Sequence, residues 1–339
     1  MYCQGLEKKI RQEGEVSRLA ELVAVTGANG FIGRELVNRL SSEGFATRAL
    51  LRKVGQEPPP GVEQYVIGDL NSDRDFGPAL SEATIIVHLA ARVHEMNEDH
   101  ELAYPLYESL NTQATLNLAR AAAKLKVRRF IFLSTAKVNG ERTQDKAFSE
   151  NDQPCPSGPY AISKWKAEQG LRRISQESGL EVVILRPPLV YGPGVAGNFL
   201  RLVDLVNRTR VLPLGDLDNK RSMVGLGNLT DIVLRCITHE QAAGETFFVS
   251  DGQDLSVTEL IRLIASGLAR RCILLPTPKR ALQILATLAG KQAVVQRLVD
   301  SFQVDIGKAR RLLNWEPSTT VRSELTRTVQ WYRRHGRSA

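Results

Sequence analysis

Tyr160 and Lys164 open the helical pattern "YAISK", and their spacing of four puts a phenol and an ammonium on one helix face. A cation beside a phenol favours the phenolate and lowers a pKa that is about 10 in water. A tyrosine tuned in this way exchanges a proton with a substrate hydroxyl or ketone near neutral pH. Upstream, the apolar run "RRFIFLST" ends in Ser134 and Thr135, two hydroxyls at the edge where a parallel sheet presents its ligands. A Tyr-x-x-x-Lys pair alone is common, and an exposed helix pair is the plain alternative. The upstream hydroxyls give this one its weight.

A second group is "TGANGFIG", residues 26–33, directly after the apolar run "ELVAVTG". Gly27 permits a tight turn, Gly30 lets backbone approach a pyrophosphate, and Gly33 allows close helix packing. With Asn29, Phe31 and Ile32 in the same turn, they are expected to set dinucleotide phosphates against free N–H groups at a helix N-terminus. The next strand, "ATRALLRK" (residues 46–53), ends without the acidic residue that would hold the ribose diol of NAD. Arg52 stands there, with Lys53 or Arg48 behind it. These cations suit a 2′-phosphate, so NADP(H) is favoured and NAD(H) is the alternative. A solvated basic turn would be the uneventful reading.

Elements must hold these groups in place. A helix is predicted from Phe31 to Glu43, then strands in "ATRALLR", "VEQYVIGD" and "ATIIVHLA". A long helix follows over Tyr104–Lys124, then the strand "RRFIFLST", a proline-rich loop from Gly140 to Pro159, a helix from Tyr160 to Glu177, and the strand "EVVILRP". Alternating strands and helices make an α/β fold, a Rossmann-like doubly wound parallel sheet. After Pro187 the pattern becomes mainly helical, a smaller C-terminal lobe for the substrate. The expected division is an N-terminal extension over 1–18, disordered or loosely helical, a dinucleotide domain over 19–186, and the lobe over 187–339. Segments near 225–250 are expected to return to the first domain.

Composition sets limits. The chain has 339 residues, 42% hydrophobic and 24% charged, with a net charge of +8. No apolar run approaches the roughly 20 residues that span a bilayer, so no stable membrane insertion is expected and the cytoplasm is the default. The four cysteines have neither disulfide-framework nor zinc-site spacing, and no metal is expected. The cations are scattered in pairs such as Arg128-Arg129 and Arg333-Arg334 without a docking motif, which argues against nucleic acid.

Together the motifs resemble the extended short-chain dehydrogenase/reductase family, from about Leu22 to Tyr332. The resemblance implies that Thr135, Tyr160 and Lys164 are catalytic, with Ser134 beside the reacting oxygen. It implies that Tyr160 and Lys164 also touch the cofactor. "GDL" is similar to the family's adenine contact and implicates Asp69 and Leu70. "HLAA" is similar to its small-residue floor, with Leu89, Ala90 and Ala91 under the cofactor and His88 in the core. Pro187 follows as a further cofactor contact. "LRPPLVYGPG", "GNFL" and "NKRSMVGLGNLTDIV" resemble the sugar-nucleotide branch, which implies Asn198 and Arg221 on a UDP-sugar. Asn139, Ser222 and Asn228 depart from that branch's usual tyrosine and aspartates. "ARVHEMNE", "STAKVNG" and "RPPLVYGPGVAGNFLRLV" look like bacterial O-antigen enzymes acting at C4 of UDP-acetamido-dideoxy sugars; Arg92 and His94, just after a strand end, are placed to contact the sugar, with ordinary loop residues as the plainer alternative.

The implied reaction is reduction of a UDP-4-keto-6-deoxy-N-acetylhexosamine in polysaccharide precursor synthesis. The alternative is a 4-epimerase with tightly held NAD, and a more distant one is a non-catalytic dinucleotide-binding protein. A dehydratase would want an acidic pair beside the Ser/Thr, and "STAKVNG" has none. The family resemblance also implies a homodimer through the helices around Tyr104 and Tyr160.

Overall fold

The structure, a computed structural model, describes residues 21–336 apart from 56, 71–74, 94–99, 279–280, 283, 285–286 and 288–291. The expected extension over 1–18 and the sugar contact His94 lie outside the described residues. By packing density the chain divides into two compact units. The first runs from the first strand through Val138 and takes in 154–186 and 233–246. The second comprises 139–153, 187–232 and 247 onward.

The first unit is built on parallel strands: β1 (Leu22–Thr26), β2 (Ala46–Leu51), β3 (Val62–Val66), β4 (Ala83–His88), β5 (Arg129–Leu133) and β6 (Glu181–Arg186). Their order is β3-β2-β1-β4-β5-β6, and Thr246–Phe248 adds a seventh strand beyond β6. Both halves wind outward from the β1/β4 boundary, the crevice where such sheets place ligands. β5 is buried along its whole length, which is why "RFIFL" reads as a continuous apolar run rather than an alternation.

Helix α1 (Phe31–Ser42) packs through Gly33, Leu36, Val37 and Leu40, the i, i+3, i+4, i+7 spacing of one face. The long helix starts earlier than its apolar spacing suggests. It consists of α2 (His100–Tyr107), a π-helical turn over Glu108–Gln113, and α3 (Ala114–Lys124). Helix α4 (Gly158–Ser178) has Pro159 in its first turn and ends at Gly179, whose φ of 78° makes the left-handed cap. Its buried face holds Ser163, Lys164 and Glu168 beside Ala161, Ala167, Leu171 and Ile174. Three polar residues on that face blunt its apolar pattern.

The second unit contains two short parallel strand pairs, Leu189–Tyr191 with Met223–Gly225 and Val211–Leu212 with Ile273–Leu274. Part of the predicted proline-rich loop belongs here. Thr143 bridges to Ser301 and Phe148 to Val304.

Candidate active site

The glycine turn closes on itself where β1 meets the loop after β4. Gly27 has φ +67°, and a Cβ there would stand 2.8 Å from the Ala90 nitrogen. A Cβ on Gly33 would stand 2.1 Å from the Gly27 carbonyl oxygen. Neither position tolerates a side chain. Gly30 caps α1 without a side-chain hydrogen bond, and the helix has no acidic residue in its first turn. The positive end of α1 is thus neither capped by a side chain nor offset by a nearby acid, which suits phosphate. The cradle therefore fits a dinucleotide. Beside it, Leu89 N–H donates to the Thr26 carbonyl and Ala90 N–H to Thr26 Oγ1, so the expected floor lies against the turn.

His88 is a core residue. Thr115 Oγ1 spends its one proton on the Asn111 carbonyl, so His88 Nε2–H donates to Thr115, at 2.9 Å. Nδ1 then accepts from Thr26 Oγ1 at 2.7 Å. Burial, and then the charge of Lys164, depress its pKa to about 3, which keeps the imidazole neutral.

At the carboxyl end of β5 the two hydroxyls part company. Ser134 is buried and donates to Glu168 Oε1 at 2.5 Å. That bond takes the proton of the hydroxyl expected beside the substrate oxygen. Thr135, the next residue, is buried as well, and its Oγ1 accepts from Lys137 N–H at 3.3 Å. Glu168, fully buried, also takes both ends of the Arg186 guanidinium.

Tyr160 and Lys164 lie one turn apart on α4. Lys164 Nζ sits 4.2 Å from the Phe132 ring centroid, and burial lowers its pKa to about 7 against the opposing pull of Glu168. Burial, and then Tyr107, push Tyr160 up to about 12. The lowered phenol expected from the Lys164 spacing is thus not a property of the protein alone.

Tyr107 meets Tyr160 edge-on with centroids 6.4 Å apart, and the Arg92 guanidinium lies 5.6 Å from the Tyr107 ring. Arg92 is therefore grouped with Tyr160 through one aromatic ring. Asn111, in the π-helical turn, fastens this corner. Its side chain accepts from Arg92 N–H, donates to the Arg92 carbonyl, and donates to Ser163 Oγ. Sequence reasoning missed Asn111, Glu168 and Arg186. Of these, only Glu168 left a signal, sitting one further turn along the Lys164 face.

The basic strand end is thinner than expected. Arg52 pairs loosely with Asp69 at 3.9 Å, with the two side chains 72% and 67% exposed. Arg48 does not stand behind it. It is buried, bonded to Glu63 Oε2 at 2.7 Å and to the Ala79 and Ser81 carbonyls, so it is unavailable to a phosphate.

In the second unit Asn198 is exposed in the first turn of helix α5 (Gly197–Arg208). Arg221 Nη1 donates to the Asp300 carbonyl at 3.2 Å, and its backbone bridges to Leu255 and Phe302. The departures at Ser222 and Asn228 are well bonded: Ser222 donates to Asp254, and Asn228 donates to Asp251 and the Thr319 carbonyl. Pro187 directly follows β6.

Known proteins align with this arrangement. A Vibrio cholerae protein named UDP-glucose 4-epimerase is 38% identical over 317 residues, covering 92% of this chain and 96% of that protein. The Escherichia coli O157:H7 N-acetyl-α-D-glucosaminyl-diphospho-ditrans,octacis-undecaprenol 4-epimerase is 27% identical and covers 80% of this chain and 82% of its own. The solved structure of MoeE5 in complex with UDP-glucose and NAD superposes with a TM-score of 0.73 at 26% identity, covering 92% of this chain and 98% of the other. Residues 23–250 match the model of one family, and the chain belongs to it: the NAD dependent epimerase/dehydratase family.

Proposed function

We propose that the protein is a nicotinamide-dinucleotide enzyme acting at C4 of a UDP-hexose, and that 4-epimerisation on retained NAD is its reaction. The observation that carries this is the joint presence of the glycine cradle and an intact Thr135, Tyr160 and Lys164 set, in a chain 38% identical to a protein named for that activity.

The cradle from Gly27 to Gly33 would hold the pyrophosphate, with Leu89, Ala90 and Ala91 beneath and Lys164 on the nicotinamide ribose. The nicotinamide ring, when bound, supplies the hydride acceptor and donor. Thr135 hydrogen-bonds the C4 oxygen. Tyr160 takes the proton from the C4 hydroxyl and returns it to the alkoxide, a role worth about 10²–10⁴-fold in rate. A phenol near 12 is a poor base at neutral pH until a positive charge arrives beside it. Asn198 and Arg221 would hold the UDP moiety.

A second reading, reduction of a 4-keto sugar by NADPH, is favoured by Arg52 with its exposed neighbour Lys53, Arg48 being committed elsewhere. Denaturing the purified protein and identifying the released nucleotide, followed by assay of UDP-glucose and UDP-galactose interconversion, tests both. Stoichiometric NAD and interconversion without added cofactor are expected. An empty site and turnover only with NADPH and a 4-keto sugar would replace the epimerase with the reductase. Under the epimerase reading, Arg52→Ala changes NADH and NADPH binding about equally. A selective loss of NADPH affinity would count for the reductase.

A further inference from the structure

The net charge is unevenly placed, although the cations are scattered. Residues 260–299 contain seven Lys or Arg and no Asp or Glu, so this stretch holds +7 of the chain's net +8. The remaining residues together net +1. The same stretch has no Phe, Trp, Tyr or His. The unevenness lies in the acids, not the cations, and pairwise inspection of Lys and Arg does not reveal it.

In the second unit this stretch forms one strand of the pair Val211–Leu212 with Ile273–Leu274. Val211 lies opposite Ile273 in the register, and Leu275 stands two residues further along the same side. These three side chains are 44%, 59% and 48% exposed, whereas Leu212, on the other side, is buried. Arg210, Arg270 and Arg271 are exposed and border the pair, with the Arg210 carbonyl accepting from Ile273 N–H.

We infer that this face of the second unit docks on an anionic phospholipid surface. Cations supply the attraction to negatively charged headgroups, and the aliphatic side chains enter the headgroup boundary between them. Single-stranded nucleic acid is a poorer match, because its binding draws on aromatic stacking and the stretch has no aromatic residue. A protein partner needs about 800 Å² of complementary surface on each side. Three aliphatic side chains on two short strands offer far less, and a deformable headgroup layer does not require it. No described helix is long and apolar enough to cross a membrane, so the contact is peripheral. It stands independently of the reaction proposed above.

Co-sedimentation of the full chain with vesicles tests the inference. Vesicles of phosphatidylglycerol mixed with phosphatidylcholine should carry the protein down, and pure phosphatidylcholine or high salt should not. Arg270→Ala with Arg271→Ala should weaken partitioning about thirty-fold, since each basic residue at an anionic surface contributes about five-fold. Ile273→Asp should weaken it further, with melting temperature and dinucleotide binding retained. Equal partitioning onto neutral vesicles, or no partitioning, would overturn the inference. So would binding to an acidic polypeptide or a DNA oligonucleotide as tight as to vesicles and insensitive to Ile273→Asp. The lipid and salt dependence of the wild-type protein decides the matter even if a variant misfolds.

Discussion

A phenol near 12 and an ammonium near 7, one turn apart, leave the proton on the wrong partner for abstraction at neutral pH. The spacing of Tyr160 and Lys164 picks out the pair but not its protonation, because that is set by desolvation in the folded protein, which a spacing does not carry. Lys164 has a consequence of its own. Its folded pKa lies below its ordinary value, so the ammonium is lost as pH rises past about 7. If a bound dinucleotide uses that ammonium, binding takes up a proton above this pH and weakens as pH rises. Calorimetric titration of nucleotide into the wild-type protein should therefore show falling affinity from pH 7 to 9, and Lys164→Met should show a weaker, flat profile. A wild-type profile as flat as the variant's would mean that Lys164 does not hold the ribose as an ammonium.

Helix α4 is held to the sheet through its buried charges. Glu168 joins the end of β5, through Ser134, to the end of β6, through Arg186, and both strand ends are thereby fixed to the helix that carries Tyr160 and Lys164. Glu168 also raises the Lys164 pKa. Glu168→Ala leaves a buried guanidinium uncompensated and should cost about 3–5 kcal/mol in denaturant unfolding. Glu168→Gln keeps much of the shape and should move the Lys164-dependent limb of nucleotide binding to lower pH. Ser134→Ala, which leaves the ion pair intact, should not move that limb. A shift in Ser134→Ala equal to that in Glu168→Gln would assign the effect to packing rather than charge. Much of the element pattern was legible because parallel strands buried on both sides, such as "RFIFL", are continuous apolar runs, and because a glycine-rich turn between strand and helix has few other uses. Glu168 with Arg186, the π-helical turn at Asn111, the committed Arg48 and the bridge from Thr143 to Ser301 were not legible. Each is fixed by a partner distant in sequence, and of these residues only Glu168, four on from Lys164, follows a local periodicity.

At the scale of the whole chain, the two units bury titratable groups of opposite habit. In the first, His88 is held neutral down to about pH 3. The unfolded chain takes up that proton near 6.5, so folding stability falls as pH drops below that value. In the second, burial raises Glu324 and Asp251 above the usual carboxylate range. Glu324 packs against Gly225 and Gly227, where a Cβ would stand 2.5 and 2.6 Å from its side chain, and its Oε2 is buried without a hydrogen bond. The folded state then holds a proton more tightly than the unfolded chain, and stability is lost as pH rises through the folded pKa. The two substitutions His88→Gln and Glu324→Gln should therefore respond to pH in opposite senses. Relative to wild type, the melting temperature of His88→Gln should improve as pH falls from 7 to 5. That of Glu324→Gln should improve as pH rises from 5 to 8. Scanning calorimetry of both variants across this range checks the signs. Parallel trends would mean that one of the two burial effects is balanced by a partner that titrates with it.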